Sequence, residues 1–164
     1  MMKTQIIAEI GINHNGDLNV AKKLIDIAVF TGCDVVKFQK RNPEVCVPEH
    51  QKGVMRDTPW GRMTYLDYKY KVEFGENEYD EIDEYCMDKI KWSASPWDMD
   101  SVEFLEQYDL PFVKIPSALL TDYELIRECS KRFNKLVLST GMSTIGEIDK
   151  AVKSMGCEVG NYDS

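Results

Sequence analysis

No hydrophobic run in the 164 residues approaches the roughly 20 residues that a membrane-spanning helix requires. The opening "MMKTQIIAEIGINHNG" does not read as a signal peptide, because its apolar stretch is short and Glu9 interrupts it. Basic residues are in deficit, with 20 Lys and Arg against 28 Asp and Glu and a formal charge of -8. Nucleic acids and anionic membranes repel such a chain, so it is expected to bind neither. A local basic site can still hold a phosphate. There is no CxxC pair. The five cysteines (Cys33, Cys46, Cys86, Cys129, Cys157) are scattered and odd in number, which argues against a disulfide framework and for reduced thiols in the cytoplasm. Histidine is scarce, with only His14 and His50. A single His without a partner at ligand spacing is a weak metal signal, so no metal ligand is assigned. Low-complexity tracts and domain linkers are also missing.

What remains is an alternation of strand-like and helix-like stretches. "QIIAEIG" reads as a strand. Residues 17–31 read as a helix that Asp17 caps and Gly32 closes, with Ala21, Leu24, Ile25 and Ala28 at helical spacing. "DVVKFQ" (34–39) is the next strand. A long connection over about 40–63 follows, rich in Pro, Gly and charge. "MTYLDYKYKVEF" and "NEYDEIDEYCMDKI" read as helices. "KWSASPW" (91–97), "FVKIPS" (112–117) and "KLVLSTG" (135–141) read as strands, each followed by a helix: "MDSVEFLEQY", "DYELIRECSKRF" and "TIGEIDKAVKSM". Strand–helix alternation predicts an α/β fold with a parallel sheet. A doubly wound sheet and a (β/α) barrel both satisfy the pattern, and periodicity does not separate them. Five units are too few for a typical eight-unit barrel of about 250 residues.

The strand ends break the apolar pattern of parallel strands. Glu9, Lys37 and Gln39, Ser93 and Ser95, Lys114 and Ser117, and Ser139 and Thr140 stand at or near them. Ligands bind at that edge of the sheet in both architectures. A buried lysine without an anion is costly. Lys37 and Lys114, with the hydroxyls of Ser95, Ser117 and Ser139, are therefore expected to form a phosphate or carboxylate pocket. The competing expectation is that the lysines pair with local carboxylates or snorkel to the rim. The segment from Lys40 to Phe74, which holds "RDTPWGRMTY", is expected to overhang this end as an Ω-like lid. Arg56 or Arg62 would hold substrate there or form a solvated salt bridge.

"AEIGINHNGD", "DVVKFQKR", "WSASPWD", "VKIPSALLTD" and "LVLSTGMST" together resemble successive strand ends of the N-acetylneuraminate (sialic acid) synthase family. The likeness runs from about Ile6 to Met155. It implies a TIM barrel represented by about five of its eight β/α units, with residues 1–164 as a partial catalytic domain. It implies condensation of phosphoenolpyruvate with an amino-sugar aldehyde such as N-acetylmannosamine. By motif, Lys37 and Lys114 resemble the family's phosphoenolpyruvate-binding lysines. Ser95 stands at a phosphate-binding position, and Ser117 and Ser139 match the hydroxyls that complete the pocket. Glu9 and Gln39 match groups near the sugar. Glu9, Lys37 and Gln39 are thus the expected catalytic group, and Ser95, Lys114, Ser117 and Ser139 the substrate-binding group. His14 is expected to structure the first loop or stand near the substrate, and His50 to lie in a solvated loop.

The resemblance also implies a divalent ion, manganese or magnesium, whose histidine ligands lie on later strands. A C-terminal antifreeze-like domain follows the barrel in the family, and a homodimer is expected of the complete enzyme. The sequence stops at "GCEVGNYDS", so these histidines and that domain are expected to be absent, and an inactive truncated fragment that only binds anions or a partner is an alternative expectation. Inner-face residues such as Val35 and Phe112 are then expected to lose their cover. Leu119 stands where some members carry a glutamate, which leaves the sugar open between N-acetylmannosamine and the legionaminate or pseudaminate precursors.

Overall fold

A computed structural model describes residues 4–156. Cys157 and the rest of the "CEVGNYDS" tail lie outside the described residues. In chain order the elements are Ile7–Gly11 (β1), Leu18–Phe30 (α1), Val35–Lys40 (β2), Pro43–Cys46 (α2), Glu49–Lys52 (α3), Met55–Thr58 (β3), Gly61–Thr64 (β4), Tyr65–Val72 (α4), Glu76–Cys86 (α5), Lys91–Pro96 (β5), Met99–Leu105 (α6), Val113–Ile115 (β6), Tyr123–Arg132 (α7), Leu136–Leu138 (β7) and Ile145–Ser154 (α8). Caps set several boundaries. The Asp17 side chain accepts from the backbone N–H groups of Asn19 and Val20, and Thr144 and Glu147 form a reciprocal capping box at α8.

Five strands make one parallel sheet in the order β1-β2-β5-β6-β7. This order follows the chain without reversal. A doubly wound sheet reverses at a switch point, so the strand order favours the barrel-type winding. Curvature agrees. Neighbouring strands lie about 4.8 Å apart, so β1 and β6, three positions apart, would stand about 14 Å from each other in a flat sheet. Yet the Glu9 carboxylate and the Lys114 ammonium meet at 3.2 Å. Side chains standing perpendicular to a flat sheet would not close that gap. The sheet is curled, with these residues on its concave side.

Alternation along the strands sorts the two faces. Ile10, Val36, Phe38, Trp92 and Ala94 pack against α1 and α5 through Ala21, Ile25, Ala28, Tyr79, Ile82 and Cys86. Ile115 joins a second cluster with Val102, Leu125, Ile126, Cys129 and Ala151. The alternate residues, Glu9, Lys37, Gln39, Ser93, Ser95 and Lys114, are left for the concave side. Val35 and Phe112 do not lose their cover and are both buried. Exposed large apolar residues are instead scattered, with Phe30, Met87, Met142 and Ile145 the most open among the described residues.

Other departures are local. The long connection contains an antiparallel hairpin, β3–β4, and two one-turn helices. Thr64 caps α4, so that helix starts two residues later than the apolar pattern suggests. His50 is exposed as expected, but on α3 rather than in a loop. β6 stops at Ile115 because Pro116 has no N–H to give to the ladder. Ser117 therefore opens a one-turn 3₁₀ helix, Ser117–Leu119, instead of ending a strand. Ser139 lies just past β7, where its N–H still donates to the Ile115 carbonyl at 3.1 Å.

Candidate functional site

Lys37 is the most heavily committed cation of the sheet. Its side chain is 2% exposed, and its ammonium pairs with Glu9 Oε2 at 2.9 Å. It also donates to Ser95 Oγ at 3.0 Å and to the Phe38 carbonyl at 3.3 Å. An ammonium has three N–H donors, and these three partners account for them. Lys114 meets the other oxygen of the same carboxylate, Glu9 Oε1, and is 28% exposed. Glu9 therefore bridges two strands' lysines, and Lys114 keeps donors for a ligand. The three charges leave an excess of one positive charge, which an incoming anion can neutralise.

Each group feels the others. Burial pushes the Glu9 carboxyl up, but the hydrogen bonds and charges of Lys37 and Lys114 outweigh it and hold the group below its ordinary range. Burial pulls the Lys37 ammonium down, Glu9 pushes it back, and Lys114 adds to the pull. Desolvation wins for the nearly sealed lysine, while attraction wins for the half-exposed carboxylate.

The structure thus joins Glu9, Lys37, Ser95 and Lys114 in one chain of contacts across β1, β2, β5 and β6, with Glu9, Lys37 and Lys114 inside their strands and Ser95 one residue from the end of β5. The expected alternative, pairing of the lysines with a local carboxylate, is what the structure shows, and both ammonium groups use the same one. Ser117 and Ser139 sit just past the ends of β6 and β7. Ser117 lies against the turn after β7, where a side chain on Gly141 would come within 3.5 Å of the Ser117 hydroxyl. Gln39 is at the rim of β2. Its amide nitrogen lies 3.4 Å from the place a Gly11 side chain would occupy, and its carbonyl oxygen accepts from Arg41 Nη2.

His14 structures the first loop. It is buried, its ring stacks on Phe74 at 3.8 Å, and its Nδ1 accepts the Gly16 N–H at 3.1 Å. Burial pulls its pKa down to about 4, although the Gly11 backbone pulls the other way. The neighbouring Gly16 has φ +72, and a Cβ there would strike the Lys71 carbonyl oxygen at 2.0 Å. Glycine lets the β1 loop press against the end of α4.

The segment 40–74 packs at the same end of the sheet. The Asn42 N–H donates to Asp98, just past β5, at 2.6 Å, and the Cys46 thiol donates to Asp98 at 3.0 Å. Burial, then Asp98, pushes that thiol up to about 12. Arg56 lies over the Tyr65 ring at 4.1 Å. A second buried set was not expected from the sequence. The Arg41 guanidinium lies 4.6 Å from the Trp97 ring centroid, and its backbone N–H donates to Glu73 Oε1 at 3.0 Å. Burial pushes the Glu73 carboxyl up to about 7, against the Arg41 N–H and the charges of Lys40 and Arg41. The only available signal was the position of Glu73 between two apolar residues in "KVEF".

Among the described residues no group of three or more His, Cys, Asp or Glu side chains forms a metal-binding set. His14 Nδ1 is already committed to Gly16. These residues do not fit a divalent metal centre, and no chemical step is assigned to one.

A parallel sheet wound in chain order and curled around a cluster with excess positive charge defines a β/α-barrel-type protein. The chain belongs to the NeuB family, whose model matches residues 24–162. It is 37% identical over 155 residues to the N,N'-diacetyllegionaminic acid synthase of Campylobacter jejuni, covering 93% of this chain and 46% of that protein. It is 36% identical over 145 residues to the human N-acetylneuraminate-9-phosphate synthase, covering 85% of this chain and 40% of that one. The crystal structure of the N-acetylneuraminic acid (sialic acid) synthetase of Leptospira borgpetersenii, solved with citrate, superposes with a TM-score of 0.82 at 28% identity. That match covers 94% of this chain and 50% of the other. The chain spans less than half the length of these two curated relatives.

Proposed function

We propose that this chain carries the phosphoenolpyruvate-binding part of a sialic acid synthase-type enzyme. The reaction condenses phosphoenolpyruvate with an N-acetylmannosamine-like aldehyde to give a nine-carbon sialic acid and phosphate. The observation that carries this reading is Glu9 bridging Lys37 and Lys114 at one end of the sheet, with Ser95 on Lys37. The bond-making carbon is the methylene of phosphoenolpyruvate, which attacks the aldehyde carbon while the aldehyde oxygen takes a proton. Water adds to the adjacent cationic carbon and gives up a proton. The carbon–oxygen bond to phosphate then breaks, leaving a 2-keto acid.

Lys37, Lys114 and the hydroxyls of Ser95, Ser117 and Ser139 position the phosphate and carboxylate of phosphoenolpyruvate and balance their charge. Gln39 faces the sugar. Glu9 serves the proton at the aldehyde oxygen or the water. An anion on the lysines competes with Glu9 for their charge, so binding raises the proton affinity of Glu9 just where a proton must be handled. The divalent ion, the homodimer and the cytoplasmic setting belong to this proposal for the complete enzyme. The partial-barrel domain assignment belongs to it too.

The test is phosphoenolpyruvate binding by calorimetry, followed by phosphate release in manganese buffer with and without N-acetylmannosamine. Saturable binding that Lys114→Met weakens about tenfold or more, the scale of a lost charge-assisted contact, supports the anion site. Sugar-dependent phosphate release supports the reaction. No binding, or binding indifferent to Lys114, refutes the reading. A second sugar reading draws on the legionaminic relative and on Leu119. A 2,4-diacetamido hexose that outperforms N-acetylmannosamine in the same assay would decide for it.

A further inference from the structure

The rim of the site holds charges that the condensation does not use directly. Arg41 is 8% exposed and makes three different contacts with one planar group. Its Nη2 donates to Gln39 Oε1. Its Cζ lies 4.6 Å from the Trp97 ring centroid. Its Nε stands 3.5 Å from Glu73 Oε2, and among the described residues neither atom makes a hydrogen bond. Glu73 is the C-cap just past α4, in the segment that packs over this end of the sheet.

We propose that Arg41 is a positioning residue that fixes the Gln39 amide, and that Glu73 holds Arg41 in that pose. The inference rests on the reading of Gln39 as a sugar-facing group. An amide presents a donor and an acceptor that exchange places when it flips. With Oε1 held by Arg41, the nitrogen stays on the Gly11 side as a donor. A sugar carries hydroxyl and acetamido groups, and a site distinguishes them only if its own donors and acceptors keep their places. Lysine in place of Arg41 would keep the charge. It would lose the fork that reaches Gln39 and Glu73 together.

The surroundings of Glu73 make this hold sensitive to protons. Lys40 and Arg41 face it from the end of β2, Asp98 from beyond β5, Tyr79 from α5 and Cys46 from α2. Glu78 acts in turn on Lys40. With Glu73 ionised, the two cations are matched by Glu73 and Asp98. With Glu73 protonated, one positive charge is left over and Arg41 loses its partner. Burial already brings the Glu73 carboxyl up to about 7.

The side-chain amide protons of Gln39 report on this directly by NMR, on the 164-residue chain without substrate. Gln39→Leu identifies them by their loss. In the wild type they are expected to shift with a midpoint of about 7. In Glu73→Gln they should stay flat over the same range. In Arg41→Lys they should leave their wild-type position and stop titrating. Signals that do not titrate in the wild type, or that titrate equally in Glu73→Gln, overturn the proposal. If Arg41→Lys does not fold, the nearly isosteric Glu73→Gln decides alone. Phosphoenolpyruvate binding is a separate arm. Its absence beside a titrating amide sinks the proposed function and leaves this linkage standing, and its presence beside a flat amide sinks only this inference.

Discussion

Glu9 and Lys114 are 105 residues apart in the chain and 3.2 Å apart in space. The contact exists because the sheet curls, and it gives Lys114 the counter-ion that Lys37 also uses. Replacing Glu9 by Gln would leave two neighbouring ammonium groups without a carboxylate. Breaking a fully buried pair costs about 3–5 kcal/mol. Glu9 is half-exposed, so the expected loss is about 1–3 kcal/mol after allowance for solvent screening. Excess inorganic phosphate should restore more stability to Glu9→Gln than to the wild type, because the anion takes the place of the carboxylate. Equal thermal shifts for the two proteins would show that the lysines do not form an anion site.

Glu73 predicts a pH dependence of stability. Its folded pKa of about 7 lies above its ordinary 4.5. Between these values the folded state holds a proton that the unfolded chain has released. The contribution is fully present below the unfolded pKa and is lost as pH rises through the folded one. The full loss is on the order of 3 kcal/mol. Glu73→Gln has no charge to bury and escapes it. In denaturant unfolding, stability of the variant relative to the wild type should rise by about 1–3 kcal/mol between about pH 4 and about pH 8. A constant difference would mean that Glu73 does not titrate in this range.

His14 predicts the opposite trend. Its folded pKa of about 4 lies below its ordinary 6.5. The unfolded chain takes up a proton first, so the stability linked to His14 is present above pH 6.5 and is lost as pH falls through about 4. Its ring resonances should remain those of neutral imidazole down to about pH 5. An NMR midpoint above about 6 would mean that the ring is not buried against Phe74 as described.

Gly16→Ala tests the seam between the β1 loop and α4. The substitution forces a side chain into positive φ and into the Lys71 carbonyl. The expected loss is roughly 2–4 kcal/mol, more than backbone strain alone would give. Urea unfolding would read it, and a loss below about 1 kcal/mol would show that the two segments separate freely.

The strand–helix alternation was legible because each element has enough apolar residues at one period to declare itself. The lysines and serines at the strand ends were legible because they interrupt that period. The β3–β4 hairpin was not. "MRDT" and "GRMT" are short and largely exposed, so no apolar alternation marks them. Glu9 was legible as a site residue but not as the counter-ion of both lysines, since that role depends on curvature between distant strands. Nothing in "QKR" or "KVEF" marks Arg41 and Glu73 as a joined pair. Their burial is decided by how the segment 40–74 folds back on Trp97 and Asp98, which local sequence does not encode.

The strand order has a consequence for synthesis. A ribosome delivers β1 before β2 and β2 before β6, so Glu9 is already present when Lys37 first enters the sheet. The nearly sealed ammonium never needs to wait for a distant segment to supply its counter-ion. Lys114 arrives later, on β6, and brings the unmatched positive charge with it. The growing chain therefore passes from a neutral pair to a cationic pocket only when β6 docks. On stalled ribosomes, phosphate should protect nascent chains from protease only once Lys114 has cleared the exit tunnel. Equal protection of shorter chains would break this order of events.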